Sequence, residues 1–486
     1  MGDDKVLVVV FDGLRPDMVV PGLMPNLHRF AVGHCAFPRS RAVFPSETRV
    51  NAAAVVTGCD PARHGLIANQ FHAAAAFADH PVNTSKMDHL LVADRAWNGG
   101  LMQAPTLGER LHAAGKSLAV VSTASTGATW LLNPHAERLG QLRWSAHGDA
   151  WGAPADELAT IARRFGPVPP VAIPSTARID HATSVWLDHV RPGLDPDVAI
   201  LWFADPDWTY HYSGIGTPEA LACLAGADRA FGRIVDAWQR SPDRDRRQIV
   251  TLSDHGHVTT LERIDLVAAF NAAGFPTDTR AADADGLALV PGSPAGLTLR
   301  RRDPGLARDV VAWLAEQSWC GLILSAGGEG DQGGIAGTLS HRLLGIAHPR
   351  SADILFTLRD DDEPGSGGWP GRCRYDYAIP LGGGMHGGLH PRELNNWLAV
   401  GGSAFHEATV SPCPAGIVDV APTILHLLGL PAEGCDGRVL GEALVGGETP
   451  DHRSWTVETS LAGHAQRLSL SQTAGTRYID SGTRLA

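Results

Sequence analysis

The chain has 486 residues and a formal net charge of −12. This length exceeds the usual size of one hydrophobic core, so we expect a large α/β domain with an inserted or appended unit. No basic run offsets the negative charge, which argues against binding to nucleic-acid polymers or anionic membranes but leaves a small phosphorylated substrate open, because bound metal ions supply local positive charge.

The first predicted element is a buried strand at Val6–Phe11, a short apolar run that ends at Asp12. In open α/β sheets, ligands collect beyond the carboxyl ends of the strands. Asp12 is therefore a candidate metal ligand, and the alternative is an ordinary helix cap.

The next signal is the segment Phe44–Asn51, which lies directly before a helical run at Ala52–Val56. A hydroxyl at a helix N-terminus gains from the helix dipole and from free backbone N–H groups that receive phosphate oxygens. Ser46 and Thr48 are candidate nucleophiles in this segment, because metal coordination lowers the pKa of a hydroxyl. The alternative for either residue is a helix N-cap.

Helix-like and strand-like segments alternate through the rest of the first half of the chain. In chain order we predict a helix at Thr106–Ala114, a strand at Ser117–Ser122, a strand at Ala199–Ala204, a helix at Pro218–Ser241 and a strand at Gln248–Leu252. This alternation is typical of βα units, so we predict an α/β fold with a mostly parallel central sheet flanked by helices.

Two of these strands end, like the first, at side chains that bind metal ions: Asp207, His211, Asp254 and His255. Asp207 and His211 are four residues apart, which places both on one face of a helical turn, with a surface pair as the alternative. Three strands that deliver carboxylates and imidazoles to one sheet edge predict a metal-dependent active site. These donors together suit Zn²⁺, with Mn²⁺ or Fe²⁺ as alternatives.

The sequence changes character between about residues 259 and 380, where Gly-rich and Asp-rich loops surround two strand-like pieces, Gly321–Leu324 and Asp353–Leu358. We predict a smaller inserted α+β cap in this region. The chain is then divided into a first part of the α/β core at 1–258, the cap at 259–380 and a second part of the core at 381–486.

His386 follows the predicted cap and is flanked by glycines on both sides, so it can approach a metal ion closely. His390 lies one helical turn away and competes for this role. The last predicted helix is Asp419–Leu430, which Gly429 closes.

Cysteine spacing and the N-terminal residues predict a cytoplasmic protein. The seven cysteines are scattered without a C-x-x-C pair, which is typical of reduced thiols. The start at Met1–Lys5 is acidic, unlike the basic start of a signal peptide, and no apolar stretch approaches the roughly 18 residues of a membrane-spanning helix. We therefore expect no membrane partner, and the sequence leaves open whether the chain forms a homo-oligomer.

Several motifs occur in a fixed order along the chain: Asp12, Thr48 with Asn51, Thr57–Gly65, Pro206–His211, Ser253–Gly256 and His386 with Gly387. Together they resemble the alkaline phosphatase superfamily, and most closely its type I phosphodiesterase/nucleotide pyrophosphatase branch. The resemblance implies an alkaline phosphatase-like fold and two divalent metal ions, with Zn²⁺ expected.

The same resemblance implies roles for individual residues. One ion would be held by Asp12, Thr48, Asp254 and His255, and the other by Asp207, His211 and His386. Thr48 would be the nucleophile, and Asn51 would hold a non-bridging phosphoryl oxygen.

The resulting prediction is a two-metal hydrolase that cleaves phosphoric esters, above all phosphodiesters, through a covalent threonine intermediate. The partner is a small phosphorylated or phosphonylated substrate. A phosphonoacetate hydrolase or a phosphomonoesterase is the alternative among hydrolases; a phosphomutase, or a metal-binding protein without catalysis, is an alternative from another class. Four aromatic residues are candidates for a wall that binds the organic part of the substrate: Trp97, Trp130, Trp208 and Tyr210.

Overall fold

A nine-stranded sheet forms the centre of the protein in the computed structural model, which describes residues 4–147, 152–280, 286–301 and 303–485. Its strands, in chain order, are β1 (Lys5–Phe11), β2 (Cys35–Ala36), β3 (Leu118–Ser122), β4 (Leu142–Ser145), β5 (Gly152–Ala153), β6 (Val198–Phe203), β7 (Arg247–Leu252), β8 (Leu398–Gly401) and β9 (Thr409–Val410).

The spatial order of this sheet is β9-β2-β8-β7-β1-β6-β3-β4-β5. The five strands β7, β1, β6, β3 and β4 run parallel to one another. Strand β8 is antiparallel to β7, and β5 is antiparallel to β4. The predicted mostly parallel α/β sheet is therefore confirmed, and the predicted strands at Val6, Ser117, Ala199 and Gln248 each lie within one residue of an observed strand start.

Strand β1 shows why these runs are continuously apolar. Successive side chains of a strand point to opposite faces, and here both faces are covered. Val8 and Val10 pack on one side in a core shared with the helices Thr48–Thr57, Leu107–Ala113 and Val420–Leu427. Val9 and Phe11 pack on the other side in a core shared with the helices Pro25–Gly33, Thr176–Val185 and Pro218–Gln239.

Local signals explain where the predicted helices begin and end. Thr106 forms a capping box with Glu109, so the helix predicted at Thr106–Ala114 is observed at Leu107–Ala113. The helix predicted at Pro218–Ser241 is observed at Pro218–Gln239, with Thr217 as its N-cap. The helix predicted at Asp419–Leu430 is observed as a 3-10 turn, Ile417–Asp419, followed by Val420–Leu427.

The region predicted as a cap contains a six-stranded sheet with its own hydrophobic core. Two helices, Leu266–Ala272 and Pro304–Glu316, pack against it. Its strands are Thr277–Asp278, Leu287–Val290, Ala295–Leu299, Cys320–Ser325, Leu339–Ser340 and Ile354–Leu358. The extra unit that the sequence predicts is thus present, and its boundaries at 259 and 380 stay a proposal.

A four-stranded sheet leads the chain into this unit and back out of it. Its strands are Val258–Arg263, Asp360–Pro364, Pro370–Tyr375 and Gly384–Met385. Val258 pairs with Met385 in antiparallel register. The residue before Val258 and the residue after Met385 are therefore brought together, although about 130 residues separate them in the chain.

The C-terminal residues form an antiparallel sheet of their own, which the sequence did not indicate. Its strands are His452–Leu461, His464–Thr473 and Thr476–Leu485. Leu468 and Leu470 of this sheet share a core with Leu322 and Leu324 of the inserted unit. Residues 452–485 thus lie outside the central sheet, whereas the sequence-based division places 381–486 in the α/β core.

Short elements complete the described chain. The short helices are Pro16–Met18, Pro61–His64, Met87–Ala96, Thr126–Leu132, Ala136–Leu139, Ala155–Phe165, Trp186–Leu194, Asp207–Ser213, Arg244–Arg246, Pro391–Leu394 and Gly441–Ala443. The short strand pairs are Ser40–Arg41 with Ala415–Gly416, and Gln70–Phe71 with Val82–Asn83.

All seven cysteines are unpaired. Among the described helices, none combines the length and the apolar character that crossing a lipid bilayer requires. The predicted cytoplasmic location stays a prediction.

Candidate metal centre

The order of the central strands brings the predicted acidic residues together. Strand β1 lies between β7 and β6, so Asp12 at the end of β1 lies between Asp254 after β7 and Asp207 after β6. Backbone contacts lock this arrangement. The Asp207 N–H donates to the Asp12 carbonyl at 2.9 Å, and the Gly13 N–H donates to Asp254 Oδ1 at 2.9 Å.

One half of the centre surrounds the hydroxyl of Thr48. His255 Nε2 lies 3.2 Å from Thr48 Oγ1, 3.2 Å from Asp254 Oδ2 and 3.6 Å from Asp12 Oδ1. The second oxygen of Asp12 accepts the indole N–H of Trp202 at 2.9 Å. This bond orients the carboxylate and leaves Oδ1 directed at the histidine.

The other half of the centre surrounds one oxygen of Asp207. Three imidazole nitrogens approach Asp207 Oδ1: Nε2 of His211 at 3.2 Å, of His257 at 3.1 Å and of His386 at 3.2 Å. The two halves adjoin, because the rings of His255 and His386 stack with their centroids 3.6 Å apart.

The hydrogen bonds of these histidines determine which ring nitrogen carries the proton. In each ring Nδ1 lies within hydrogen-bonding distance of a backbone carbonyl, which can only accept. The carbonyls are those of Gly384 for His211 (2.7 Å), Gly256 for His255 (3.0 Å), Gly13 for His257 (3.1 Å) and Ser46 for His386 (2.8 Å). A neutral ring donating from Nδ1 carries a lone pair on Nε2, so all four Nε2 atoms present lone pairs to carboxylate oxygens.

The Nε2 lone pairs and the carboxylate oxygens repel one another unless a cation lies among them. Several of these atoms also lack a hydrogen-bond partner. Among the described residues, four buried atoms of the centre lack a hydrogen-bond partner: Asp12 Oδ1, Asp207 Oδ1, Asp254 Oδ2 and His257 Nε2. Groups of these residues offer ligand atoms that lie within 4.8 Å of one another. Carboxylate oxygens and neutral imidazole nitrogens in this arrangement fit divalent cations such as Zn²⁺.

The pKa values of the acids describe the same conflict. Burial, followed by the neighbouring charges of Asp254 and Asp207, raises the pKa of Asp12 well above its usual range. Burial raises the pKa of Asp254 to about 7. The ionised forms of Asp12 and Asp254 are therefore unfavourable without compensation, and bound cations would provide it.

All seven residues predicted as metal ligands lie in this centre, and His257 is an additional member that the sequence did not indicate. His257 is two residues from His255, a spacing that places side chains on one side of an extended chain. Its ring fits because position 13 is glycine, with φ +70°, and a methyl group there would overlap His257 Cε1. The sequence Asp254–His257 thus contains a local indication of this role, because a second histidine follows the Asp-His pair at a spacing of two residues.

His390 lies outside the centre and has a structural role. It is the N-cap of the helix Pro391–Leu394, where its Nδ1 accepts the Arg392 N–H at 3.1 Å. His386, in contrast, is followed by Gly387 at φ +120°, where a side chain would collide with the Ser293 carbonyl. The backbone can therefore turn sharply after His386 while its ring stays in the centre.

Neither of the two candidate hydroxyls caps the following helix. Thr48 is the first residue of the helix Thr48–Thr57, and the N-cap position is Glu47, which makes no capping bond. Ser46 Oγ instead donates to the Gly388 carbonyl at 2.9 Å and accepts the Gly387 N–H at 3.1 Å. Ser46 therefore ties the loop of His386 to the helix start, and Thr48 Oγ1 is the hydroxyl that faces the centre.

Asn51 is committed to structural hydrogen bonds, contrary to its predicted contact with a phosphoryl oxygen. Its Oδ1 accepts the Val43 N–H at 2.9 Å, and its Nδ2 donates to the carbonyls of Pro45 (3.3 Å) and Glu47 (3.0 Å). The side chain is fully buried. Asn51 thus holds the loop before the helix Thr48–Thr57 in place, and both amide hydrogens are already used.

Asn69 offers the amide donor that Asn51 lacks. Its Oδ1 accepts the Arg49 N–H at 3.2 Å, and among the described contacts its Nδ2 donates to no protein atom. Asn69 lines a cavity beside the centre together with His211 and His386. Local sequence does not reveal this position, because Asn69 belongs to a different loop from Thr48.

The cavity lies between the start of the helix Thr48–Thr57 and the inserted unit, which contributes Val290 and Pro294 to its wall. Its aromatic residues are Phe71 and Tyr377. The four aromatic residues predicted as a substrate wall, Trp97, Trp130, Trp208 and Tyr210, are not among the lining residues. Trp130 and Tyr210 are buried in the hydrophobic cores, and Trp97 packs beneath the Arg350 guanidinium.

Comparison with protein families gives one match that covers most of the chain. The family model described as type I phosphodiesterase / nucleotide pyrophosphatase matches residues 6–322. Venom phosphodiesterase 2 of Crotalus adamanteus is 23% identical over 268 residues, which cover 54% of this chain and 28% of that protein. Ectonucleotide pyrophosphatase/phosphodiesterase family member 3 of Mus musculus is 22% identical over 279 residues, which cover 55% of this chain and 27% of that protein. The matched region thus spans little more than a quarter of these relatives.

Among solved structures, murine ectonucleotide pyrophosphatase / phosphodiesterase 5 matches with a TM-score of 0.60 and 17% identity. The match covers 89% of this chain and 97% of that chain. A second structure of the same protein, an inactive threonine-to-alanine variant in complex with AMP, matches with the same values. This likeness shows that the two chains share a fold.

The different positions of His386 and His390 predict different metal contents for their variants. His386→Ala should lower the metal bound per chain by about one equivalent, because it removes one of the nitrogens around Asp207. His390→Asn keeps an N-cap acceptor and should retain the full content. Elemental analysis of both variants after dialysis measures this, and loss of metal only in His390→Asn would contradict the assignment.

Proposed function

The chain belongs to the type I phosphodiesterase/nucleotide pyrophosphatase family, and on this premise we propose that it is a metal-dependent hydrolase that cleaves phosphodiesters through a covalent threonine intermediate. The observation that carries the proposal is the convergence of three carboxylates and four imidazole lone pairs beside the Thr48 hydroxyl. The AMP bound by the murine relative supports a small phosphorylated substrate, which we extend to this chain as part of the proposal.

Two divalent cations fit the two halves of the centre, and Zn²⁺ is the ion that we expect. Asp12, Thr48, Asp254 and His255 would hold one, and Asp207, His211 and His386 would hold the other, with His257 as a fourth donor. When bound, such ions lower the pKa of a coordinated hydroxyl and neutralise negative charge on phosphoryl oxygens.

The residues of the chain position the reacting groups. Thr48 Oγ1 loses its proton to solvent and attacks phosphorus. The Thr48 oxygen–phosphorus bond forms as the bond to the leaving oxygen breaks, and the leaving oxygen takes up a proton from solvent. The Thr48 N–H lies at a helix start, where backbone donors have no partner within the helix. It and the Asn69 amide are the donors available to a non-bridging oxygen. Water then attacks phosphorus and releases the Thr48 hydroxyl.

Removal of metal tests the class of mechanism, and a substrate panel tests the specificity. Chelation should abolish hydrolysis of a bis-aryl phosphate, and Zn²⁺ or Mn²⁺ should restore it. The reason is that the carboxylates and the imidazole lone pairs of the centre face one another, an arrangement that bound cations stabilise. Parallel assays with an aryl monophosphate, a nucleotide diester and phosphonoacetate separate the diesterase from the phosphomonoesterase and phosphonoacetate hydrolase alternatives. Full turnover by protein shown by elemental analysis to be free of metal would reject the proposal.

Variants of Thr48 test the nucleophile. Thr48→Ala should lower kcat by several orders of magnitude, because the other nearby hydroxyl, Ser46, is bonded to the loop of His386. Thr48→Ser keeps the hydroxyl and should retain an appreciable rate. Since the Thr48 side chain makes no capping bond, the melting temperature should change little in either variant. An active Thr48→Ala enzyme would show that the threonine is not the nucleophile.

Removal of the side-chain amide should lower the activity at Asn69 and the stability at Asn51. Asn69→Ala should lower kcat by about a hundredfold, since it removes a donor to the developing charge. Asn51→Ala removes three buried hydrogen bonds and should lower stability by about 1–3 kcal/mol or more, which a shift of the denaturation midpoint measures. If Asn51→Ala lost activity at unchanged stability while Asn69→Ala stayed fully active, the original prediction for Asn51 would stand.

A further inference from the structure

Arg49 is a cation beside the centre that the proposed mechanism does not use. It follows Thr48 in the nucleophile helix and lines the same cavity as His211 and His386. Its Nε is buried and has no hydrogen-bond partner. Among the described residues, no acceptor or carboxylate lies within bonding distance of its guanidinium, and only its backbone N–H is engaged, by Asn69 Oδ1.

Among the described contacts, the neighbouring acid forms no ion pair with Arg49, although the two charges lie near enough to interact. Glu47 is the carboxyl group that lines the cavity, and it accepts the backbone N–H of Asn69. Among the described residues that line the cavity, those contributed by the inserted unit carry no acidic side chain: Val290, Pro291, Gly292, Pro294, Gly296, Thr298, Arg350, Ser351, Ala352 and Leu355. An unpaired guanidinium next to apolar surface is costly, and an anion from outside the chain would compensate for it.

The other arginine that lines the cavity, Arg350, already uses its guanidinium in contacts within the protein. Arg350 donates to the carbonyls of Gly65 (2.8 Å), Gly100 (2.7 Å) and Leu101 (2.7 Å), and its guanidinium lies 3.8 Å from the centre of the Trp97 ring. Arg350 therefore has few donors left for a ligand, whereas Arg49 retains all of its guanidinium donors.

The Arg49 side chain leaves the helix in a different direction from that of Thr48. Consecutive residues of a helix point about 100° apart, so the Arg49 side chain diverges from that of Thr48. Thr48 faces His255 across the metal centre, and Arg49 extends along the cavity wall. The charge of Arg49 also acts on Asp12 and His211 of the centre, but the direction of its side chain along the wall allows it to receive an anionic group other than the phosphoryl under attack at Thr48.

We propose that Arg49 determines substrate specificity by binding a second anionic group, a carboxylate or a phosphate, carried by the organic part of the substrate. The inference rests on the proposed phosphodiesterase function and narrows its substrate class. A guanidinium binds both kinds of anion through paired, charge-assisted hydrogen bonds.

Three synthetic diesters that share a p-nitrophenolate leaving group test the proposal. Their second ester group is carboxyethyl, phosphonoethyl or the uncharged carbamoylethyl, which has nearly the same shape as carboxyethyl. The wild-type enzyme should prefer at least one anionic diester over the neutral one by about 10- to 100-fold in kcat/KM. The preferred member of the anionic pair distinguishes carboxylate from phosphate.

Arg49 variants connect this preference to the residue. In Arg49→Gln the ratio between anionic and neutral diesters should fall to about one, and Arg49→Lys should keep an intermediate ratio because it retains the charge without the paired donors. Arg350→Lys is the matched control, since Arg350 lines the same cavity with its donors occupied, and its ratio should equal that of the wild type.

The proposal would be overturned if the wild-type enzyme showed a ratio near one between kcat/KM for the anionic diesters and kcat/KM for the neutral diester. It would also be overturned if Arg49→Gln lowered kcat/KM equally for all three diesters, because that result would assign Arg49 to the reacting phosphoryl group. Failure of the proposed function is a separate outcome, in which the metal-loaded wild type hydrolyses none of the diesters. Calorimetric titration with the same three compounds then still decides the role of Arg49, because preferential binding of an anionic diester must disappear in Arg49→Gln.

Discussion

Repulsion among buried negative charges and lone pairs is the constraint on which the rest of this structure depends. Asp12, Asp207 and Asp254 lie at adjacent strand ends with four imidazole Nε2 atoms directed at them, and such a cluster is unfavourable unless cations lie within it. The surrounding protein holds the groups in this arrangement from outside. The Trp202 indole N–H donates to Asp12 Oδ2 and the Gly13 N–H donates to Asp254 Oδ1, and backbone carbonyls accept hydrogen bonds from Nδ1 of the histidines.

The inserted unit is compatible with this geometry because the chain leaves and re-enters the core through one antiparallel pair. Val258 pairs with Met385, so the register places His257 beside His386, and their ring centroids are 4.9 Å apart. The same unit supplies one wall of the cavity. An insertion of this size thus contributes to the wall of the cavity, while the residues of the centre lie on the central strand ends, on the helices Thr48–Thr57 and Asp207–Ser213, and beside the paired strands Val258–Arg263 and Gly384–Met385.

The sequence predicted the features that local pattern encodes. Buried parallel strands are continuous apolar runs, and polar residues at their carboxyl ends must meet at one edge, so Asp12, Asp207 and Asp254 could be grouped before the structure was known. The roles of Asn51 and Asn69 could not be separated in this way, because they depend on which loops the amides reach in the folded chain. The C-terminal sheet depends on pairings between segments that are distant in sequence, and local periodicity does not encode such pairings. His257 carried a local signal in its spacing of two residues from His255, but its contact with Asp207 depends on the folded chain.

The most direct test of the account is the location of metal by anomalous X-ray scattering at the zinc edge, from crystals of the protein equilibrated with Zn²⁺. The account predicts two peaks, one bounded by Asp12, Thr48, Asp254 and His255, and the other by Asp207, His211 and His386, with His257 Nε2 directed at the second. A single peak, or peaks only outside this cluster, would contradict it.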